Sequence, residues 1–304
     1  MHAKNIRIYI TKMKFQKIIQ LFIPPIYYKV KQRLFSPKEQ EVHPLVMLEH
    51  KRGRMVVIGN GPSLNKSIEL YEHQIKESDI IMVNFAAMTD LFFTLRPSVY
   101  LLVDPGWFNP APSQVESCNR CVDTIVLRTE WPMAIVMPIS AKQGYSVEKF
   151  KKNPNIKVLF YEDGWDAHQG MSQYEKWDKN LICPPGQTVL NTAVWLSIYW
   201  GYKETFLVGA DTSWHAELKM DQETNVLYTI DTHFYDNKKV YQESYDEKQN
   251  RRPIGTKLHE ELYAEATALR EYWNLRGYAD WKGVKVYNAS EYSWIDAFER
   301  KKLS

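Results

Sequence analysis

The stretch VVIGNGPSLNKS, residues 56–67, constrains this chain more than any other. Two valines and an isoleucine make a short buried strand. Two glycines, an asparagine, a proline and a serine then break it. A helical pattern, SLNKSIELYEHQI, begins at once, with Ser63 expected as its N-cap. Gly59 and Gly61 admit a close backbone approach that a side chain forbids. The helix aims free N–H groups and a positive dipole end at the turn, which favours an anion such as phosphate. Lys66-Ser67 follow, but Asn60 and Asn65 stand where the two P-loop glycines would be, so this is not a P-loop. Leu64 stands where a third glycine would complete a dinucleotide fingerprint.

The rest of the chain repeats the strand–turn–helix pattern. DIIMVNF, SVYLLVD, TIVLRT, IKVLFYE, TFLVGAD and VKVYN read as strands. QTVLNTAVWLSIYWG is a helix apolar nearly all round, closed by Gly201, and KLHEELYAEATALREYWNLRG is a long amphipathic helix closed by Gly277. Alternating strands and helices predict an α/β, Rossmann-like, doubly wound and mainly parallel sheet. Ligands of such sheets sit beyond the carboxyl ends of the strands. The residues expected there are Gly59, Asn60, Gly61, Asn84, Asp104, Gly209, Ala210 and Asp211. The polar, aromatic stretch 215–256 is too long for a plain connector and reads as a lid.

Charge divides the chain. Residues 1–38 hold nine Lys/Arg and no Asp or Glu, although the net charge of the whole is only +3. Phe15, Ile18, Ile19, Phe22 and Ile23 fall on one helical face of that segment, which Pro24-Pro25 ends. No apolar run is long enough to span a bilayer, and no signal-peptide pattern is present. A basic amphipathic segment suits an anionic membrane surface, so a peripheral place on the inner face of the cytoplasmic membrane is expected. Packing on a second subunit, and hence a homo-oligomer, stays open. The expected organisation is a head at 1–38, a linker at 39–53 and one domain at 54–304. A nucleic-acid partner is not expected.

Three cysteines exclude a disulfide scaffold, and Cys118 and Cys121, in a polar connector, lack the second pair a zinc site needs. No D-x-D motif marks a nucleotide-bound divalent ion, so a metal-independent reaction without a cofactor is expected.

IGNGPSL after a strand resembles the opening motif of the bacterial sialyltransferases of glycosyltransferase family 42 and of the related MptE-like (DUF115) proteins. GYKETFLVGAD, DIIMVNF, KLHEELYAEA and VKVYNAS resemble further blocks of the same group, over roughly residues 54–298. The resemblance implies a CMP-sugar donor held by Gly59, Asn60, Gly61, Pro62, Ser63, Asn84, Asp104, Thr188, Gly209, Ala210, Asp211 and Trp214. It implies transfer of an acidic sugar (sialic, related nonulosonic, or Kdo) to a glycan or lipid-linked glycan. The family's tyrosine pair is replaced after the Gly-x-Asp block by Trp214 and His215, with tyrosines following only at Tyr228 and Tyr235.

Such a transfer needs a base for the acceptor hydroxyl and donors for the departing phosphate. Of eight histidines, His215, His233 and His259 lie near the motifs. His259, with Glu260 beside it, matches the family's base position. His233 and Tyr235 sit in the lid and compete for roles there. Two other activities stay open: an MptE-like pterin pyrophosphokinase using ATP and magnesium, and a non-catalytic binding protein of the same fold.

Overall fold

The computed structural model describes residues 45–46, 53–112, 114–164, 170–223, 225, 227–234, 236–242 and 257–304. The basic head, most of the linker, Tyr235 and the lid stretch 243–256 lie outside these described residues.

In chain order the strands are β1 (Arg54–Ile58), β2 (Asp79–Val83), β3 (Val99–Leu101), β4 (Met133–Pro138), β5 (Ile156–Tyr161), β6 (Glu204–Val208), β7 (Leu218–Met220), β8 (Leu227–His233), β9 (Asp236–Gln242), β10 (Lys285–Asn288) and β11 (Glu299–Arg300). The helices are α1 (Leu64–Lys76), α2 (Asp90–Leu95), α3 (Val115–Arg128), α4 (Tyr145–Phe150), α5 (Gln173–Asp178), α6 (Val189–Tyr199), α7 (Trp214–Glu217) and α8 (Leu258–Lys282). Eight strands form one sheet in the order β11-β10-β6-β1-β2-β3-β4-β5, and every pair in it is parallel. The α/β, Rossmann-like class read from the sequence is the observed one.

Period-two alternation, with a core on each face, explains why the central strands are apolar throughout. Met55 and Val57 of β1 join the core cluster under α6 and α8, with Trp195 and Tyr272. Val56 and Ile58 join the opposite cluster under α1 and α3, with Tyr71 and Cys121. The expected linker reaches this core at Leu45, which is buried and whose carbonyl accepts from the Trp200 indole N–H at 2.8 Å.

The chain runs outward from β1 to β5, then returns to lay β6 on the other side of β1. Strand order therefore reverses between β1 and β6, which is where open α/β sheets bind ligands. Over this edge, β7, β8 and β9 form a separate antiparallel sheet. The described part of the lid is thus a small sheet with a short helix, α7, before it.

Four local expectations are corrected. TIVLRT lies in α3, because Cys118, Cys121, Val122 and Ile125 recur at helical spacing on the buried face while Leu127 points outward. The CNRC pair is therefore core, and burial pushes the Cys121 thiol up to about 12. The fourth strand is MAIVMP, buried at all six positions. Gly277 does not end the last helix. It lies inside α8 against the Tyr174 hydroxyl, where a Cβ would collide, and Gly283, at φ +71°, is the left-handed C-cap. Ser63 does stand at the N-cap position of α1, as expected, although its side chain makes no capping hydrogen bond to that helix.

Candidate active site at the strand switch point

The turns after β1 and β6 interlock. The Gly59 N–H donates to the Val208 carbonyl at 2.8 Å, and the Gly61 N–H to the Gly209 carbonyl at 2.9 Å. A Cβ on Gly59 would collide with the Gly209 carbonyl and sit 3.1 Å from the Ala210 Cα. A Cβ on Gly61 would run into the Asp211 carboxylate and come within 2.8 Å of the Gly209 carbonyl oxygen. Gly209 itself has φ +64°. The glycines serve first to bring two backbones together. The space over Gly61, expected for a phosphate, holds a carboxylate.

That carboxylate caps α1. Asp211 accepts from the Ser63 N–H at 3.0 Å and from the Ser63 hydroxyl at 2.5 Å. Burial raises its pKa, and the two Ser63 hydrogen bonds oppose the shift. An anion on the helix N-terminus is what the dipole favours, but this one comes from the chain. Thr212, next along, is held at φ +50°. A β-branched residue in that region is strained, and such strain clusters at working sites. The turn is braced from behind: Ser290 Oγ accepts from the Ala210 N–H at 3.0 Å, Ser293 Oγ donates to the Ala210 carbonyl at 2.6 Å, and the Trp294 N–H donates to the Asp211 carbonyl at 2.9 Å.

Two asparagines stand beside this knot. The Asn60 amide donates to the Val83 carbonyl at 3.3 Å, which places it against the end of β2. Asn84 follows in the left-handed region at φ +52°, and its carbonyl accepts from the Tyr100 hydroxyl. The side-chain oxygens of both asparagines are buried and unpartnered among the described residues. Buried polar atoms are rarely left so without a ligand or water to satisfy them. The β8–β9 hairpin docks on the same turn. The Phe234 N–H donates to the Asn60 carbonyl at 3.0 Å, the Asn65 amide donates to the Phe234 carbonyl at 3.2 Å, and the Phe234 ring packs on the α1–α3 core. The lid and the glycine turn are thus one structure.

No family model and no curated protein matches the chain. Among solved structures it is similar to the MAf glycosyltransferase from Magnetospirillum magneticum AMB-1, at 14% identity and a TM-score of 0.46, over 85% of this chain and 35% of that one. The chain therefore spans about a third of that enzyme's length.

The other expected site residues scatter in role. The Asp104 carboxylate accepts from the Gly106 N–H at 2.6 Å and caps the turn after β3. Thr188 is the N-cap of α6, accepting from the Asn191 N–H at 3.2 Å. Pro62 is exposed, and Trp214 opens α7 half-buried. His233 ends β8 beside Phe234, and its backbone pairs in register with Asp236. His259 is exposed on the first turn of α8, and its side chain makes no hydrogen bond or ion pair among the described residues. The Glu260 carboxylate reaches back to the Lys257 N–H at 3.2 Å, a capping contact.

One pair is only half legible in the sequence. His215 Nδ1 lies 3.6 Å from the Glu265 carboxylate, and its ring meets Trp294 edge-on at 4.3 Å. Glu265 is buried, and burial raises its pKa. His215 opposes that shift, while Glu261 and Glu217 add to it. His215 stands out as a candidate from its place after the Gly-x-Asp block. Its partner lies fifty residues on, and only the fold joins them. The one sequence signal for it is a glutamate on the inward stripe of an amphipathic helix.

Proposed function

We propose that the chain is a glycosyltransferase that moves an acidic sugar from a CMP-linked donor to a glycan acceptor. The observation that carries this reading is the pair of buried oxygens on Asn60 and Asn84, unpartnered among the described residues, at the ends of the adjacent strands β1 and β2, with the lid hairpin docked on the Asn60 turn. They are hydrogen-bond acceptors, so they suit the hydroxyl and amine donors of a nucleoside. The Asp211 carboxylate argues against a phosphate on the α1 N-terminus itself, because like charges repel. We therefore assign the nucleoside to the asparagines and the phosphate to the space toward the hairpin.

In the proposed step a histidine removes the proton of the acceptor hydroxyl. The acceptor oxygen bonds to the anomeric carbon as the bond from that carbon to the phosphate oxygen breaks, and CMP leaves with the electron pair. The lid hairpin keeps water from competing. The basic head at 1–38 would hold the enzyme on an anionic membrane face, near a lipid-linked acceptor. Among the described residues, no helix is long and apolar enough to cross a membrane.

A thermal-shift series with CMP, CDP, UDP and ATP, each with and without magnesium, tests the donor class. Stabilisation by CMP without magnesium is expected. Stabilisation by ATP only with magnesium would favour a pyrophosphokinase instead, and no response to any nucleotide would favour a binding protein.

A further inference from the structure

Beside the knot, two large rings remain half in solvent. Tyr292 is 49% exposed and Trp294 is 50% exposed. They follow β10, where the apolar strand has ended and the chain crosses the strand-end edge. Neither is loose. The Trp294 indole N–H donates to the Tyr292 hydroxyl at 2.5 Å. The Trp294 backbone N–H is tied to Asp211, and the Tyr292 carbonyl accepts from the Ser63 hydroxyl at 3.4 Å. Both rings are therefore anchored to the residues that join the two glycine turns. A fixed aromatic face with a polar tip, left open to water, is suited to the apolar face and hydroxyl rim of a sugar ring.

Behind Trp294 stands the pair His215–Glu265. Nδ1 faces the Glu265 carboxylate, while Nε2 is buried and has no partner among the described residues. The second Glu265 oxygen, Oε1, is likewise buried and unpartnered among them. At 3.6 Å the Glu265 carboxylate lies just beyond hydrogen-bond reach of Nδ1 and close enough to pair with the ring once it is protonated, a loose form of the base-and-orienter arrangement. Glu217 on α7 and Glu261 on α8 add negative charge around the pair, and Trp294 walls it on the third side. His259 has no such support.

We propose that Tyr292 and Trp294 form the platform on which the acceptor sugar rests, and that His215, held by Glu265, takes the proton of its reacting hydroxyl. This rests on the glycosyl-transfer reading and deepens it. Docking of the acceptor must open the buried Nε2 of His215, which then gains the acceptor proton while the acceptor oxygen bonds the anomeric carbon and CMP departs. The resulting imidazolium is stabilised by the Glu265 carboxylate. Glu265 is thus a positioning residue and His215 the catalytic one.

The test has two arms on the full-length chain. In the first, an array of neutral and acidic oligosaccharides is probed with and without CMP. Wild type should bind at least one class, and Trp294→Ala and Tyr292→Ala should weaken that binding about ten-fold or more. Trp294→Phe keeps a ring and should retain most of it, which separates the platform from a folding defect. Binding that is absent, or equal in wild type and both alanine variants, overturns the platform. In the second arm, transfer from CMP-linked acidic sugars is followed against pH. His215→Gln should lower kcat by about 10²-fold or more and remove one limb of the pH–rate profile, with the donor KM little changed. Glu265→Gln should shift that limb. His259→Ala should keep it. A limb that survives in His215→Gln and vanishes in His259→Ala overturns the base assignment. Wild type that binds glycans but releases no CMP refutes the donor reading and leaves the platform standing.

Discussion

Ser63 and Asp211, 148 residues apart, are joined twice: the Asp211 carboxylate accepts from both the backbone N–H and the hydroxyl of Ser63. This contact locks the turn after β1 to the turn after β6 and gives α1 its cap. Removing it should cost more than an ordinary surface hydrogen bond, because the acceptor is charged and buried. Asp211→Ala should lower stability by about 1.5–3 kcal/mol, read as a shift of the denaturation midpoint at unchanged slope. Ser63→Ala, which keeps the backbone bond, should cost less. Equal stability of wild type and Asp211→Ala would show that the clamp is idle.

The glycine turn makes a second prediction. Gly59→Ala and Gly61→Ala drive a methyl into backbone or carboxylate and should destabilise by about 1–3 kcal/mol or more. Gly164→Ala, with nothing near its Cβ, should be close to neutral. Because the Asp211 carboxylate lies over Gly61, a side chain there is expected to strain the fold itself as well as to crowd any ligand. Chemical denaturation of the three variants checks this.

What the sequence discloses depends on range. The sheet, α1, α6, the Gly209–Asp211 turn and the strand-end position of Asn84 rest on local periodicity and turn chemistry, which a sequence displays. TIVLRT misleads because so short a run cannot distinguish alternation from a helical stripe; the buried cysteines a turn earlier decide it. MAIVMP is masked by Pro132 before it and Pro138 at its end, yet proline at a strand's last residue breaks nothing. The Ser63–Asp211 clamp, the docking of Phe234 on Asn60 and the His215–Glu265 pair all join residues far apart in the chain. No window shows them.

Glu271 offers a pH test independent of function. It is 2% exposed on α8, and burial pushes its carboxyl from the ordinary 4.5 to about 7, with Asn274 and Arg270 opposing. A raised pKa means that the folded state holds the proton longer than the unfolded one. Stability should therefore be greatest at or below about pH 4.5 as far as this group is concerned, and fall as pH rises toward 7. Glu271→Gln should remove that decline, leaving the variant more stable than wild type above pH 7 by about 1–3 kcal/mol. Parallel pH profiles of the two proteins would contradict the burial argument.

The asparagine pair predicts a binding phenotype larger than any folding one. Asn84→Gly keeps the left-handed turn and deletes the amide; Asn60→Ala deletes the other oxygen. Each should weaken CMP by about two- to ten-fold, the worth of one hydrogen bond, with the melting temperature of the free protein nearly unchanged in Asn84→Gly and modestly lowered in Asn60→Ala, which also loses the amide bond to the Val83 carbonyl. Calorimetric titration reads both. Undiminished affinity in both variants would move the nucleoside elsewhere.

The most direct measurement is release of CMP from CMP-linked sialic acid, nonulosonic acid and Kdo by the full-length chain, with a glycan acceptor and excess EDTA. Glycosyl transfer at the asparagine pair predicts CMP release that depends on the acceptor, proceeds without divalent metal, and falls in Asn84→Gly and His215→Gln. No release from any of the three donors, with ATP consumed only when magnesium is restored, would contradict it.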